Sequence, residues 1–378
     1  MLIFAACLAI FVYGMVASML GTITPGLATQ FHLNNLQTSY IALAQGLGLV
    51  GASVSVGPLM DKRGKKVGLL LGLALVAIAL FALANATGYG LIIVAMAVMG
   101  MGGGIIITGA NALGSDVSEA KRGAVLNFLN VFVGLGGFAT PFVAGNLLSG
   151  DAIRVAYAAA FISSLTFLVC LFLQIPAPTG GGPAPRSSDV FKQPVLYFLA
   201  AVTFLYTACE FGVWNWLVKY LLTRGIPESS ALNILGFGFA IGLLFGRLAV
   251  APILIRIRPL TVNMAAAGLM AITTFAMLQT SDATVAGAAV FFAGMAMAPV
   301  FPTTISVVGD IFKQGSATAI GFTITCGFSG LVVSSPLIGW LAGSDPKGLA
   351  NGLLVLPVFS VLIIGVNLII RSKFATTR

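Results

Sequence analysis

The chain contains few charged residues for its length. Of its 378 residues only 8% are Asp, Glu, Lys or Arg, whereas a soluble protein carries about a quarter. So few charges cannot cover a surface in contact with water, and we exclude a soluble globular protein. Histidine occurs once, and the four cysteines lie in apolar segments without the spacing of metal ligands. We therefore expect small buried thiols, no metal, no cofactor and no enzymatic activity.

Apolar residues are correspondingly abundant. They make up 58% of the chain, and the mean hydropathy is +1.06. A helix that spans the bilayer needs roughly 20 apolar residues, and apolar runs between polar, Gly or Pro punctuation predict twelve such helices. The predicted fold class is an all-α polytopic membrane protein. The predicted spans are 2–29, 36–60, 66–85, 89–114, 122–149, 153–175, 194–222, 228–254, 259–280, 283–309, 315–342 and 349–371.

A polar segment separates the sixth and seventh predicted spans. It reads PAPTGGGPAPRSSDVFKQ, residues 176–193. Its Pro, Gly and Ser content cannot form a packed core, so we expect a flexible cytoplasmic linker. The linker divides the chain into an N-terminal six-helix bundle, 1–175, and a C-terminal six-helix bundle, 194–378.

The nineteen Lys and Arg residues are distributed unevenly over the loops. If the amino terminus is cytoplasmic, fifteen lie on the cytoplasmic side and four lie outside, namely Arg154, Lys219, Arg224 and Lys347. This bias predicts that both termini are cytoplasmic and that the protein resides in the plasma membrane, the inner membrane of a bacterium. It also explains the net charge of +9 without a nucleic-acid partner. The count places Arg247 near the cytoplasmic end of the eighth span.

The two halves resemble each other at an offset of about 194 residues. GMGGGIIITGANALGSDV begins at Gly100, and GMAMAPVFPTTISVVGDI begins at Gly294. The shared offset predicts that the second bundle is a duplicate of the first. The matching pairs are Gly100 and Gly294, Met101 and Met295, Asp116 and Asp310, and Gly136 and Gly330.

A short motif lies between the second and third predicted spans. It reads GPLMDKRGKK, residues 57–66, and Gly64 permits the sharp turn that two consecutive spans need at one membrane face. The motif, the twelve spans and the duplicated halves together resemble the major facilitator superfamily, whose loop signature combines Gly, an acid, paired basic residues and a second Gly. The residues that match the signature are Gly57, Asp61, Arg63, Gly64, Lys65 and Lys66.

A second loop, SEAKRGAVLNF at 118–128, also resembles a loop of that family. Its Glu119 and Arg122 can form a charge network with Asp61 at the cytoplasmic face. Exposed pairs contribute only about 0–1 kcal/mol, so we expect a weak, reversible latch. The resemblance implies a transporter, functional as a monomer, that works by alternating access. In such a transporter two bundles rock around a central site near the bilayer midplane.

One acid lies deep in a predicted span. Glu210 stands in ACEFGVWNW, residues 208–216 of the seventh span. A charge at the centre of a span costs about 2.5–3.5 kcal/mol on insertion scales and usually faces a water-filled path. Helical spacing places Tyr206, Glu210 and Trp214 on one face. We expect Glu210 to bind substrate and the coupling proton; the alternative is a protonated structural glutamate between helices.

Buried amides complete the predicted substrate site. We expect no Lys, Arg or His deep in a span, which argues against an anionic substrate. Amides, hydroxyls and indole faces instead suit a neutral solute with many hydroxyl groups, such as a sugar or polyol. The predicted substrate-binding residues are Gln45, Asn111, Asn127, Asn130, Tyr206, Glu210, Trp214 and Asn215.

Within the superfamily the chain loosely resembles the bacterial fucose and glucose/galactose proton symporters. The resemblance rests on GMAMAPVFPTTIS, 294–306, and NVFVGLGGFATP, 130–141. That branch implies coupling acids in the first and fourth helices, which this chain lacks. Proton-coupled symport of a neutral sugar or polyol is the leading hypothesis, with Glu210 as the coupling acid. The alternatives are a sugar uniporter, an exporter of drugs or organic cations caged by Trp214 and Trp216, a carrier of small organic acids, and a receptor without transport activity.

Overall fold

The structure is a computed structural model that describes residues 2–117, 122–173, 190–312, 316–343, 345 and 348–374. Most of the predicted linker lies outside these ranges, as does Glu119. The side chains of Asp61, Arg122 and Asn127 also lie outside the described part of the structure. The charge network between the two cytoplasmic loops therefore stays a prediction, and so do the limits of the two domains.

The described residues form helices and contain no strand. In the first half the helices are α1 (Leu2–Gln30), α2 (Asn35–Ser55), α3 (Gly57–Arg63), α4 (Lys65–Ala84), α5 (Tyr89–Val117), α6 (Arg122–Asn146) and α7 (Ala152–Phe172). In the second half they are α8 (Pro194–Thr223), α9 (Glu228–Asn233), α10 (Ile241–Arg256), α11 (Pro259–Met277), α12 (Ala283–Met297), α13 (Val300–Ile311), α14 (Ser316–Ala342), α15 (Leu349–Leu353) and α16 (Val355–Phe374). A π-helical segment, Ile234–Ala240, joins α9 to α10. The all-α prediction is confirmed.

Eleven helical segments of the described residues are long and apolar enough to cross a membrane. The remaining predicted span corresponds to α2, which has 21 residues. Its first turn is polar because a capping box begins the helix: Asn34 Oδ1 accepts a hydrogen bond from the Gln37 backbone N–H at 2.8 Å, and Gln37 Oε1 accepts one from the Asn34 N–H at 3.0 Å. The helix packs between α5 and α14, so protein covers much of its surface and an apolar sequence is less necessary.

The two halves repeat at the predicted offset. Helices α4, α5 and α6 begin 194 residues before α11, α12 and α14 respectively. Their contacts repeat as well, because Gly100 packs on the backbone carbonyl of Gln45 and Gly294 packs on that of Phe239. Positions 45 and 239 are again 194 residues apart. Small residues let helices approach closely within lipid, and the same close approach occurs in both halves. The two pseudo-symmetric six-helix bundles are confirmed.

Two spans of the second half are irregular near their middle. The tenth predicted span divides at Ala298 and Pro299 into α12 and α13. Pro299 and Pro302 lack the N–H that a continuous helix needs, which accounts for the break. The eighth span contains the π-helical segment, a feature frequent at functional sites. Gly246 of α10 packs against the carbonyl of Met295, which lies just before the break. The break therefore adjoins α10, and the π-helical segment lies immediately before α10 in the chain.

The motif between the second and third spans forms the sharp turn expected for it. Helix α3 ends at Arg63, and Gly64 has a φ of 90°, a conformation that glycine adopts without steric cost. Lys65 then begins α4, and its Nζ donates a hydrogen bond to the Ala112 carbonyl of α5 at 3.2 Å. The turn is thereby attached to the neighbouring span, while the gating role of its residues stays a prediction.

Gly330→Val tests the close packing of α14 on α8. A side chain at Gly330 would overlap the Phe204 carbonyl, so the helices have to separate. We expect the thermal unfolding temperature of the detergent-purified protein to fall, since overpacking costs about 1–3 kcal/mol. Gly321→Val lies on the same helix, where a Cβ meets nothing within 4 Å, and serves as the control. Equal unfolding temperatures for the two variants would contradict this packing.

Candidate functional site

Glu210 faces the seam between the two halves. Its side chain is partly buried on α8, and its charge acts on Tyr13 of α1 and on Tyr206 one helical turn away. Tyr13 is 4% exposed and belongs to the first half. A carboxyl that interacts with a buried residue of the opposite half points into the protein and not into lipid. The structure therefore places this acid at the seam between the two halves.

Arg247 lies at the same seam, a position that the sequence did not predict. The residue is in α10, and its Nη1 donates a hydrogen bond at 3.2 Å to the backbone carbonyl of Asn130 on α6. Its charge also acts on Tyr13 and Tyr206. The prediction counted distance along the chain, whereas the long arginine side chain extends across the seam. The signal in the sequence was a cation with apolar residues on both sides, seven positions before the end of the span at Leu254.

Tyr206 lies near both charges. Its side chain is 2% exposed and lies within the field of Glu210 and Arg247. Its ring packs beside Phe301, with 6.1 Å between the centroids. Phe301 lies in the first turn of α13, directly after the broken part of the tenth span. The tyrosine thus lies beside the broken part of the tenth span and near the charges of α8 and α10.

Trp214 packs across the seam one turn from Glu210. It is 5% exposed, meets Phe239 edge-on with 5.0 Å between centroids, and lies against Gly137 of α6. Trp216 is fully buried, and residues two apart on a helix do not share a face. The two indoles therefore do not form a common cage around Glu210, which removes the main support for an organic-cation exporter.

The predicted amides have different surroundings. Gln45 Nε2 donates to the Val16 carbonyl of α1 at 3.0 Å, and Asn215 Nδ2 donates to Ser335 Oγ of α14 at 3.0 Å. Both amides are at most 5% exposed and join neighbouring helices, so their assignment to substrate is not supported. Asn130 and Asn111 are partly buried, and Asn130 lies at the seam.

Hydrogen bonds join the halves at the face opposite the chain termini, which we call the distal face. The Asn35 side chain donates to the Gly343 and Asp345 carbonyls at 3.1 and 3.2 Å. Lys219 Nζ donates to Thr38 Oγ1 at 2.9 Å. A pair formed by Asn146 and Asn233 adds hydrogen bonds of 2.7 and 3.2 Å. These contacts close the distal face.

The seam is looser toward the face that carries the termini. Gly137 contacts Trp214, but Gly134, one turn nearer the termini on the same face of α6, has no neighbouring atom within 4 Å of a Cβ position. Gly321 of α14 likewise has open space around it. Close packing on this face of α6 therefore ends between Gly137 and Gly134.

Two surface grooves lie elsewhere. One of about 330 Å³ is lined by Phe237 and Phe291, and a smaller one of about 40 Å³ lies between Phe11 and Ile162. Both are apolar, and neither includes Glu210 or Arg247. We assign the candidate site to the seam because buried charges and cross-bundle contacts converge there.

Comparison with known proteins identifies a family, a relative and two solved structures of similar fold. Residues 6–369 match the family model for the Major Facilitator Superfamily. The 3-(3-hydroxy-phenyl)propionate transporter of Escherichia coli (strain K12) is 24% identical over 365 residues, which cover 90% of this chain and 89% of that protein. Among solved structures, a D-xylose-proton symporter has a TM-score of 0.81 at 14% identity, with 98% of this chain and 97% of that chain covered. FucP in its outward conformation has a TM-score of 0.68 at 18% identity, with 97% and 98% covered. At these identities the structures share the fold.

Asn35→Leu tests the closure of the distal face. The substitution removes two hydrogen bonds between the halves, worth on the order of 1–3 kcal/mol, and should shift the population toward a distal-open state by roughly tenfold. Spin labels at the exposed positions Tyr40 and Trp340 report the distance between α2 and α14. We expect a larger population at long distance than in the unsubstituted protein. Asn351→Leu, at an exposed distal position, is the control, and an unchanged distance distribution in Asn35→Leu would refute the closure.

Proposed function

The chain belongs to the Major Facilitator Superfamily, and from this membership and the charges at its seam we propose that it transports a small organic anion together with protons. Its relatives and its fold are those of membrane-spanning transporters that work by alternating access, and not of enzymes. The substrate and the coupling ion are the proposal.

The position of Arg247 carries this proposal. A guanidinium presents several N–H donors in a plane and binds carboxylates through two parallel hydrogen bonds. One donor of Arg247 is engaged by the Asn130 carbonyl, which leaves others for a ligand. Charged residues inside a membrane are costly and are usually functional. A cation at the seam of the two bundles is therefore best explained by an anionic substrate.

A neutral sugar is less well supported than the sequence suggested. That hypothesis depended on the absence of a deep cation and on amides facing the substrate. Arg247 interacts with the central residues, and Gln45 and Asn215 join helices. The structural likeness to a D-xylose-proton symporter favours the sugar as second candidate, but it is a likeness of fold.

Aromatic side chains around the charges favour a substrate with an apolar body. Tyr13, Tyr206, Trp214 and Phe301 lie at or beside the seam. An aryl or alkyl group can pack on such rings while its carboxylate meets Arg247. The relative in Escherichia coli is named for 3-(3-hydroxy-phenyl)propionate, an aromatic carboxylate. We propose a monocarboxylate of this kind as the substrate class.

The proposed orientation places both termini in the cytoplasm and the protein in the plasma membrane, where it acts as a monomer. The excess of Lys and Arg on the terminal side supports this orientation even when Arg247 is left out of the count. The distal face is then the outer face. In that orientation the hydrogen bonds of the distal face close the outer side, as expected of an inward-facing state that exchanges solute with the cytoplasm.

Glu210→Gln tests the coupling to protons. Proteoliposomes with an acidic exterior should accumulate 3-phenylpropionate through the unsubstituted protein. Glu210→Gln should lose this gradient-driven accumulation because an amide cannot carry the proton, yet it should keep counterflow exchange. Asp310→Asn makes the same chemical change at an exposed carboxyl and should behave like the unsubstituted protein. Full accumulation by Glu210→Gln would exclude the coupling role.

Arg247→Gln tests the substrate class. In a thermal-shift screen, monocarboxylates should stabilise the unsubstituted protein, and their affinity for Arg247→Gln should be roughly 10- to 100-fold lower, because charge-assisted hydrogen bonds contribute about 1.5–3 kcal/mol. Arg256→Gln lies at the exposed end of the same helix and should retain the affinity. Stabilisation by sugars and not by carboxylates would favour the second candidate.

A further inference from the structure

We propose that Lys219 and Trp216 form a second anion site at the outer end of α8, where the carboxylate of a substrate binds before it reaches the seam. This inference rests on the proposed function, in which the substrate is a small organic anion and the distal face is the outer face. It assigns Lys219 a role beyond closure, because its ammonium exchanges a hydroxyl of the first half for an anion when that face opens.

Lys219 has fewer acceptors than an ammonium can use. Its side chain is partly buried, and its Nζ donates a hydrogen bond to Thr38 Oγ1 of α2 at 2.9 Å. Nζ also lies over the ring of Trp216, 5.6 Å from the centroid. An ammonium has three N–H donors, and within the described part of the chain no carboxylate forms an ion pair with it. A partly buried cation between the two halves therefore lacks an anion.

Two other cations at the outer side have different surroundings. Arg154 forms an ion pair with Asp151, with 3.2 Å between Nε and Oδ2. Arg224 follows α8 at an exposed position, where its Nε donates to the Thr280 carbonyl at 3.4 Å. Lys219 is instead enclosed where α8 meets α2. Charged residues within a span that have no partner of opposite charge usually mark the path of an ion or a substrate.

Trp216 adds a second donor and an apolar surface. Its side chain is fully buried, and its Nε1 has no hydrogen-bond partner among the described residues, although leaving a buried donor unpaired is costly. Residues three apart are neighbours on a helix surface, so the indole lies beside the ammonium. The two side chains thus combine a cation, an unpaired N–H and an aromatic face. These are the features that an aromatic monocarboxylate needs.

This site is separate from the one at the seam. Lys219 lies nine residues after Glu210 in α8, which corresponds to about 13 Å along the helix axis and about two and a half turns. The two side chains therefore leave opposite sides of the helix. Lys219 faces the first half at Thr38, where the halves separate when the outer face opens. We therefore expect Lys219 to recruit anions from outside, while the seam holds them during translocation.

Opening of the outer face makes the exchange of partners possible. In the closed state the Thr38 hydroxyl occupies the place of an anion at Nζ. When α2 moves away from α8, Lys219 loses this acceptor, and its ammonium becomes accessible from outside. An uncompensated positive charge in a cleft attracts anions and raises their local concentration. Closure returns Lys219 to Thr38, so the anion has to leave Lys219 before the face can close.

Uptake of 3-phenylpropionate into right-side-out membrane vesicles tests the inference. Lys219→Gln should raise the KM for the external anion roughly tenfold, because its local concentration falls without the cation. Thr38→Val removes the acceptor and keeps the cation, so KM should stay the same or fall. Arg224→Gln removes an exposed outer cation and should follow the unsubstituted protein. Equal changes of KM in Lys219→Gln and Thr38→Val would show that Lys219 serves closure alone and would overturn the inference.

A measurement of opening tests the site without transport. Spin labels at Tyr40 and Trp340 report the distance between α2 and α14, and Arg247→Gln weakens the central site. In Arg247→Gln, 3-phenylpropionate should increase the distal-open population, because Lys219 can bind it only in that state. Adding Lys219→Gln to this variant should abolish the increase. Should Lys219→Gln fail to fold, an unchanged distance distribution in Arg247→Gln would still refute the inference.

The outcomes separate the outer site from the proposed function. If the unsubstituted protein transports no carboxylate, the proposed function fails, and opening by the anion that requires Lys219 would still support the outer site. If carboxylates are transported and Lys219→Gln has the same external KM as the unsubstituted protein, the anion carrier stands and the outer site is wrong. A raised KM in Lys219→Gln with none in Thr38→Val supports both.

Discussion

A charge inside a hydrocarbon layer has to be balanced, and this constraint organises the centre of the protein. Arg247 lies on α10 and Glu210 on α8 of the second half, and both charges act on Tyr206. Either charge alone would be costly in the membrane. Charged residues within spans usually pair with one another or face a water-filled cavity, and side chains of opposite formal charge at one seam meet this requirement.

The packing of the helices positions that group. Glycines let backbones touch at equivalent places in both halves, as at Gly100 on Gln45 and at Gly294 on Phe239. In the second half a π-helical segment precedes α10 in the chain, and the break between α12 and α13 lies beside α10. Irregular helices rearrange their backbone hydrogen bonds at lower cost than regular ones. Arg247 therefore lies on a span whose surroundings are less regular than those of the equivalent span in the first half.

Closure of the distal face depends on hydrogen bonds that polar side chains make with backbone carbonyls and with one another. Asn35, Lys219 and the pair of Asn146 and Asn233 each contribute contacts of ordinary length. Each such bond contributes only about 0.5–1.5 kcal/mol. The closed state is thus held by several weak contacts, which suits a transporter that must open this face in every cycle. On the terminal side of these hydrogen bonds, the apolar rings of Trp214 and Phe239 pack against each other at the seam.

The sequence alone determined the all-α membrane fold, the duplication and the acid in the seventh span, because lipid requires long apolar helices and makes a buried carboxylate conspicuous. It did not determine which face of each helix meets the seam, since helices apolar on every side have no amphipathic pattern from which to read their rotation. Only the tertiary structure decided that Gln45 and Asn215 join neighbouring helices and that Arg247 extends to Asn130. Those outcomes depend on how far a side chain reaches across a gap between helices, which position along the chain does not specify.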